Sequence, residues 1–150
     1  MAWDGDISAM GELARRAEDL AQIPARASQR VADSLRAAVQ DEFYDGADPY
    51  GTAWEPLAES TIDKGRTPPP LTDTGAMRGS LNSYARASGG SLSGGVAITI
   101  DHPAAPHQTG WSGPQGEGPA RPIFPTREMP HKWEQIIGAA VAAEIQEASR

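Results

Sequence analysis

Two histidines and a scatter of carboxylates are the side chains of this sequence best suited to chemistry, and their spacing argues against it. His102 and His107 stand five apart, with Asp101 beside the first. Two ligands on one helical face need a separation of three or four, and no Cys or Glu is close enough to complete a set, so no metal site is expected. Gly110-Trp111-Ser112-Gly113-Pro114 approaches a Gly-x-Ser-x-Gly nucleophile elbow but fails at its last position and follows no strand pattern. The stretch from Gly89 to Gly95 has no Lys followed by Ser or Thr and opens no helix, so it is not a phosphate cradle. Asp41 and Glu42 fall near the end of a helical pattern and read as its solvated acidic face. The sequence therefore assigns no catalytic, cofactor-binding or metal-ligating residue, and it reads as a non-enzyme.

The elements that carry these residues are legible from periodicity. Met10, Leu13, Ala17 and Leu20 recur at helical spacing. Pro24 suits the first turn of a second helix, in which Val31, Leu35, Val39 and Phe43 follow every four residues until Gly46 supplies the stop. The two helices together span residues 6–45. Residues 46–71 read as a linker: a bend at Asp48-Pro49 and Gly51, a Trp54 and Leu57 anchor, a short helix from Ala58 to Lys64, and a stiff polyproline II loop from Gly65 to Pro70.

Within residues 72–125, a helix capped by Thr72, Asp73 or Thr74 is expected to run through Met77 and Leu81. The period then changes to two: Val96, Ile98 and Ile100 alternate with Ala97, Thr99 and Asp101, and the strand's expected partner is Ser83 to Ser88. Pro103 to Thr109 fits a short helical turn, Trp111 to Pro119 a loop, and Arg121 to Phe124 a third strand. Pro130 opens a last helix at 130–148, with Trp133, Ile136, Ile137, Ala140, Val141 and Ile145 on one face. The expected fold is α+β: two N-terminal helices and a long C-terminal helix packed on a small, mostly antiparallel sheet, with long projecting loops, in one domain over 1–150.

Composition limits what such a domain can do alone. Leu, Ile, Val and Phe number only 22 of 150 residues, whereas alanine numbers 25. Alanine favours helix but buries little apolar area, so contacts between subunits are expected to supply much of the stability. The net charge of −7 lies wholly in the first half, where residues 1–75 hold 14 acidic and 7 basic side chains against 6 of each in residues 76–150. An acidic surface without a basic stripe disfavours phosphate-backbone binding. The chain has no cysteine, which excludes disulfides and thiolate metal sites. It also shows no signal-peptide pattern and no apolar run long enough for a membrane span, so a soluble protein without a membrane partner is expected.

Several short pieces, taken in order, resemble one family. Phe43-Tyr44-Asp45-Gly46 ends a helix; Gly51-Thr52-Ala53-Trp54-Glu55-Pro56-Leu57 matches a Gly-x-x-Trp-x-Pro-Leu segment; Thr61 and Lys64 precede a loop; and Thr74-Gly75-Ala76-Met77-Arg78-Gly79-Ser80 matches Thr-Gly-x-Leu/Met-Arg-x-Ser. His107-Gln108-Thr109-Gly110 and Pro119-Ala120-Arg121-Pro122-Ile123-Phe124 continue the series, although Ile123-Phe124-Pro125 stands where Phe-Leu-Gly is more usual. From about Val31 to Ile137 the order resembles the virion-morphogenesis, or tail-completion, family of tailed phages, which includes the Mu-like G proteins.

The resemblance implies a structural protein of the virion, assembled in the host cytoplasm. It would be a tail-completion, tail-terminator or neck-connector part, forming a homo-oligomeric ring, with six subunits the expected number, around the DNA channel. Its implied partners are its own copies and the tail tube or neck proteins, with DNA passing through unbound; no cofactor is implied. A small cytosolic enzyme and a nucleic-acid-binding module are the competing classes, disfavoured by the missing catalytic motifs and by the acidic balance respectively. Interface candidates are Trp111 in its Gly/Pro loop, Trp54 as either a core plug or an intersubunit anchor, Arg78 and Arg121 as either surface charges or carboxylate clamps, His107 as a turn residue, and Pro69 and Leu92 on loops.

Overall fold

Apolar side chains at every fourth position give the second helix a stripe that must be covered, and the fold is built around covering it. The computed structural model describes residues 7–66, 68–72, 75–85, 96–100, 105–114 and 116–150. Helix α1 (Ile7–Ala21) leads through Gln22 alone into α2 (Ile23–Asp45). Gln22 keeps a helical backbone, φ −84° and ψ −11°, and its carbonyl accepts the Arg26 N–H at 3.1 Å. Pro24 sits in the first turn of α2, where a missing N–H leaves no bond unmade. At the other end Gly46 takes the left-handed conformation, φ 64°, and its N–H closes on the Glu42 carbonyl.

Val31, Leu35, Val39 and Phe43 are all buried along α2. Against one side lies α6 (His131–Ala148), antiparallel to α2, since Arg30 near the start of α2 meets Glu144 near the end of α6 while Glu42 meets Trp133. Against the other lies the antiparallel hairpin of β1 (Leu81–Ala85) and β2 (Val96–Ile100), paired from Leu81 with Ile100 to Ala85 with Val96. This is the α+β arrangement expected, with β2 where the period of two placed it; its partner β1 begins at Leu81, two residues before the expected Ser83, and the expected stretch from Arg86 to Ser88 lies outside the described residues.

Sandwiching α2 between a helix and a sheet widens its buried arc beyond the four-residue stripe, and this corrects one reading. Glu42, expected on the solvated side, is 6% exposed. It follows Leu35 and Ala38 at i+7 and i+4, on the side that α6 covers. The face of α6 is corrected in the same way: Glu144 is buried and Ile145 exposed, because Arg26 and Arg30 of α2 draw the Glu144 carboxylate inward, Arg30 Nε to Oε1 at 2.8 Å.

The connections differ more from expectation. Helix α3 (Glu59–Asp63) is present, but the next, α4, is a single turn (Ala76–Gly79). Ser80 ends it, its hydroxyl donating to the Met77 carbonyl at 2.8 Å, so that Leu81 enters the core as the first residue of β1 instead of continuing the helix. Asp73 and Thr74, two of the three proposed caps, lie outside the described residues, as do Gly89 to Gly95, Asp101 and His102. After α5 (Ala105–Thr109), the expected loop is a second hairpin, β3 (Trp111–Gly113) with β4 (Gly116–Gly118). Residues 121–124, read as a third strand, form none, so the two hairpins stay separate two-stranded sheets. Their backbone is held by side chains instead: Gln108 Oε1 accepts the N–H groups of Ile123 and Phe124, and its Nε2 donates to the Phe124 carbonyl. The prolines at 68–70 do not extend outward as a polyproline II rod; Pro70 is buried, and Pro69 packs near Gly46. Among the described residues no helix is long and apolar enough to cross a membrane.

Candidate functional site

The turn after α2 is built by Asp48, whose Oδ1 accepts the N–H groups of Tyr50 at 2.9 Å and Thr52 at 2.8 Å, forming an Asx turn. Gly51 in this turn has φ 85°. The turn delivers Trp54 into the core, 5% exposed, where its ring stands edge-on to Phe43 with centroids 5.6 Å apart. Its Nε1–H donates to the Pro122 carbonyl at 2.8 Å, so one side chain both plugs the core and ties residues 46–57 to the segment after the second hairpin.

Two further side chains make the same connection. Arg121 spreads its guanidinium over two backbone carbonyls, Nε to Glu55 at 2.7 Å and Nη2 to Pro56 at 3.0 Å. Partial burial lowers its pKa from the ordinary arginine value, and the nearby charge of Glu55 opposes that shift. The Tyr50 hydroxyl donates to the Glu128 carbonyl and accepts from the N–H groups of Thr126 and Arg127, while the Arg127 guanidinium stacks on its ring at 3.9 Å. Neither Gln108 nor Tyr50 stood out by spacing, because both act on backbone groups far along the chain.

This lacing shapes a groove of about 680 Å³ between the Glu55–Ala58 segment, α4 and the β3–β4 hairpin. His107, Trp111 and Arg121 all line it. The His107 carbonyl accepts the Arg121 N–H, fixing the floor of the groove. Trp111, 43% exposed, lies over Gly118: a Cβ there would come within 1.9 Å of Nε1, so the indole occupies the place of the missing side chain. Gly110, φ 79°, makes the turn into this hairpin and is crowded by the Gly118 carbonyl and the Ala120 nitrogen. The groove thus presents one aromatic face beside a stapled backbone.

The remaining interface candidates lie apart from this cluster. Arg78 stacks on the exposed ring of Tyr44, 4.4 Å from its centroid, next to the end of α2. Trp54 is interior, Pro69 is exposed beside Gly46, and Leu92 lies outside the described residues. The strongest electrostatic feature is Glu42, which the sequence placed on the solvated face and the structure buries. Burial raises its pKa from 4.5 to about 9; a hydrogen bond with Trp133 and the charge of Lys132 oppose the shift, while Asp48 and Asp41 add to it. Its Oε2 meets no hydrogen-bond partner. An overlooked feature joins the helix ends: Arg30 bridges Glu144 and Glu147, whose hydrogen bonds raise its pKa, and Arg26 approaches Glu144 at 3.7 Å.

No curated protein and no solved structure matches this chain. A sequence model of the phage virion morphogenesis family, however, matches residues 6–145, from the start of α1 almost to the end of α6. The match takes in both the Asp48–Leu57 turn and the Trp111–Arg121 segment that the groove brings together, and the chain belongs to the phage virion morphogenesis family.

Proposed function

We propose that this morphogenesis protein acts at the upper end of the tail or at the head–tail junction, as a homo-oligomeric ring that completes the tail and leaves a channel for DNA. Family membership supports a virion-associated structural role. The observation that carries the finer reading is the distribution of apolar surface: Leu20, Tyr44, Ile62, Tyr84, Trp111, Met129 and Ile145 are all exposed in a chain poor in large apolar residues. They lie on α1, α2, α3, β1, β3, the segment before α6 and α6 itself, so the surface offers contacts in several directions. A head-to-tail ring needs this, because each subunit must present two different faces.

In this reading the Trp111 groove and the exposed Pro69 receive segments of a neighbour or of the tail tube, and the acidic first half lines or borders the channel, where it repels DNA phosphates and lets the duplex pass. The mechanism is geometric and needs no bond-making step. Native mass measurement of the purified chain, together with detection of the protein in assembled tails, tests it. A closed ring, six subunits being the expected number, supports the reading. A monomer at all concentrations, or a protein absent from mature particles, removes it.

A further inference from the structure

Helix α1 carries apolar residues that its own fold leaves uncovered. Its sequence repeats Ile7, Met10, Leu13, Ala17 and Leu20 at helical spacing, and Ala14, Ala17 and Leu20 are all exposed. On the body of the domain an open apolar groove of about 620 Å³ runs between α2, α6 and β2. Ile23 and Val31 of α2, Ile137 and Val141 of α6, and Val96 and Ile98 of β2 are among the residues that line it.

The lengths correspond. A helix of 15 residues is about 22 Å long at 1.5 Å per residue, and the groove follows α2 from Ile23 to Leu35, about 18 Å by the same rise. Within one chain α1 cannot lie along this groove. Folding one helix back along the next takes a connection of about two to five residues, and here Gln22 alone intervenes in a helical conformation. Helix α1 therefore joins α2 end to end; it touches both α2 and α6, yet none of its described residues lines the groove that begins at Ile23.

We infer that α1 of one subunit docks in the α2–α6–β2 groove of the next copy, so that each subunit gives a helix and receives one. The inference rests on the ring reading above and names the joint that would close the ring. The contact is head-to-tail, with α1 of one copy meeting α6 of another and no reciprocal pairing, which is the geometry that closes into a ring when the rotation per subunit allows it. It also explains how a chain with so few large apolar residues is completed, since Ala14, Ala17 and Leu20 of α1 would be covered only in the assembly.

The absence of native cysteine makes cross-linking specific. Ala17→Cys on α1 and Val141→Cys in the groove are introduced into separate full-length chains, mixed, and treated with a short bis-maleimide. A dimer-sized product that appears only in the mixture is expected; a product in either chain alone, or none in a mixture that still forms rings, overturns the inference and leaves the ring reading intact. A chain carrying both substitutions is expected to give a ladder of linked subunits, and a monomer linked within itself overturns the inference as well. Leu20→Glu provides an independent test, because Leu20 is 55% exposed in the subunit and its replacement leaves the domain folded. The concentration at which rings form is expected to rise about tenfold or more, with the far-ultraviolet spectrum unchanged. An unaltered assembly midpoint overturns the inference, and a wild-type chain that never assembles removes the ring reading and this joint together.

Discussion

Replacing Glu42 by glutamine isolates the effect of one buried carboxyl on the stability of the domain. The folded protein holds this group with its pKa raised to about 9, against 4.5 in the unfolded chain. Between those values the unfolded state releases the proton and the folded state keeps it, so stability falls as pH rises. The contribution is complete below pH 4.5, declines through neutrality and is exhausted above pH 9. At about 1.4 kcal/mol per pH unit, the loss from this group between pH 5 and pH 7 is about 3 kcal/mol. The substituted amide cannot ionise, and its oxygen can still accept from Trp133. Its NH₂ takes the position of the unpartnered Oε2 and adds a cost that does not vary with pH.

Urea unfolding of both chains at pH 5, 6 and 7, at one fixed protein concentration, gives the difference directly, because titrating groups that do not interact with Glu42 cancel between them. The E42Q chain should gain about 3 kcal/mol relative to wild type on going from pH 5 to pH 7. That corresponds to roughly 6 to 12 °C in melting temperature for a domain of this size. Parallel stability profiles for the two chains would refute the account of Glu42 as a buried, protonated acid.

Substitutions at three further positions examine the groove and its supports. Arg121→Lys replaces a fork that reaches two carbonyls with a single ammonium; it should cost about 1–3 kcal/mol in chemical denaturation and speed amide exchange in residues 52–58. Trp54→Phe keeps an aromatic ring against Phe43 but removes the bond to Pro122, for an expected loss of about 1–3 kcal/mol, against about 3–5 kcal/mol for Trp54→Ala. Gly118→Ala should leave stability within about 1 kcal/mol, because the clash falls on the movable indole of Trp111. It should nonetheless red-shift tryptophan emission as that ring moves into solvent. An unshifted spectrum would mean that the indole does not rest on Gly118.

Periodicity alone was enough to place the scaffold. The Val31–Phe43 stripe, the Pro24 and Gly46 boundaries, the alternation at Val96–Ile100 and the apolar face beginning at Trp133 are local patterns, and each element formed where its pattern lay. The ordered motifs from Phe43 to Phe124 were likewise legible, because they are short strings whose order survives without knowledge of contacts. Local reasoning failed where a residue's partner lies far along the chain. Residues 121–124 looked like a strand but are held by Gln108; the stretch at Trp111 failed for another reason, because its Gly and Pro content reads as loop although Trp111 pairs with Gly118.

The sequence by itself determined the long helices, the strand at Val96–Ile100, the poverty of large apolar residues and the family order of motifs, since these depend on spacing and composition. Only the tertiary structure decided that Glu42 is a buried acid, that Arg121 grips backbone carbonyls, and that His107, Trp111 and Arg121 share a groove. The physical reason is that exposure belongs to a side chain's surroundings. A helix covered on one side leaves its acids in water, whereas α2, enclosed by both α6 and the β1–β2 sheet, draws one of them into the interior and changes its charge.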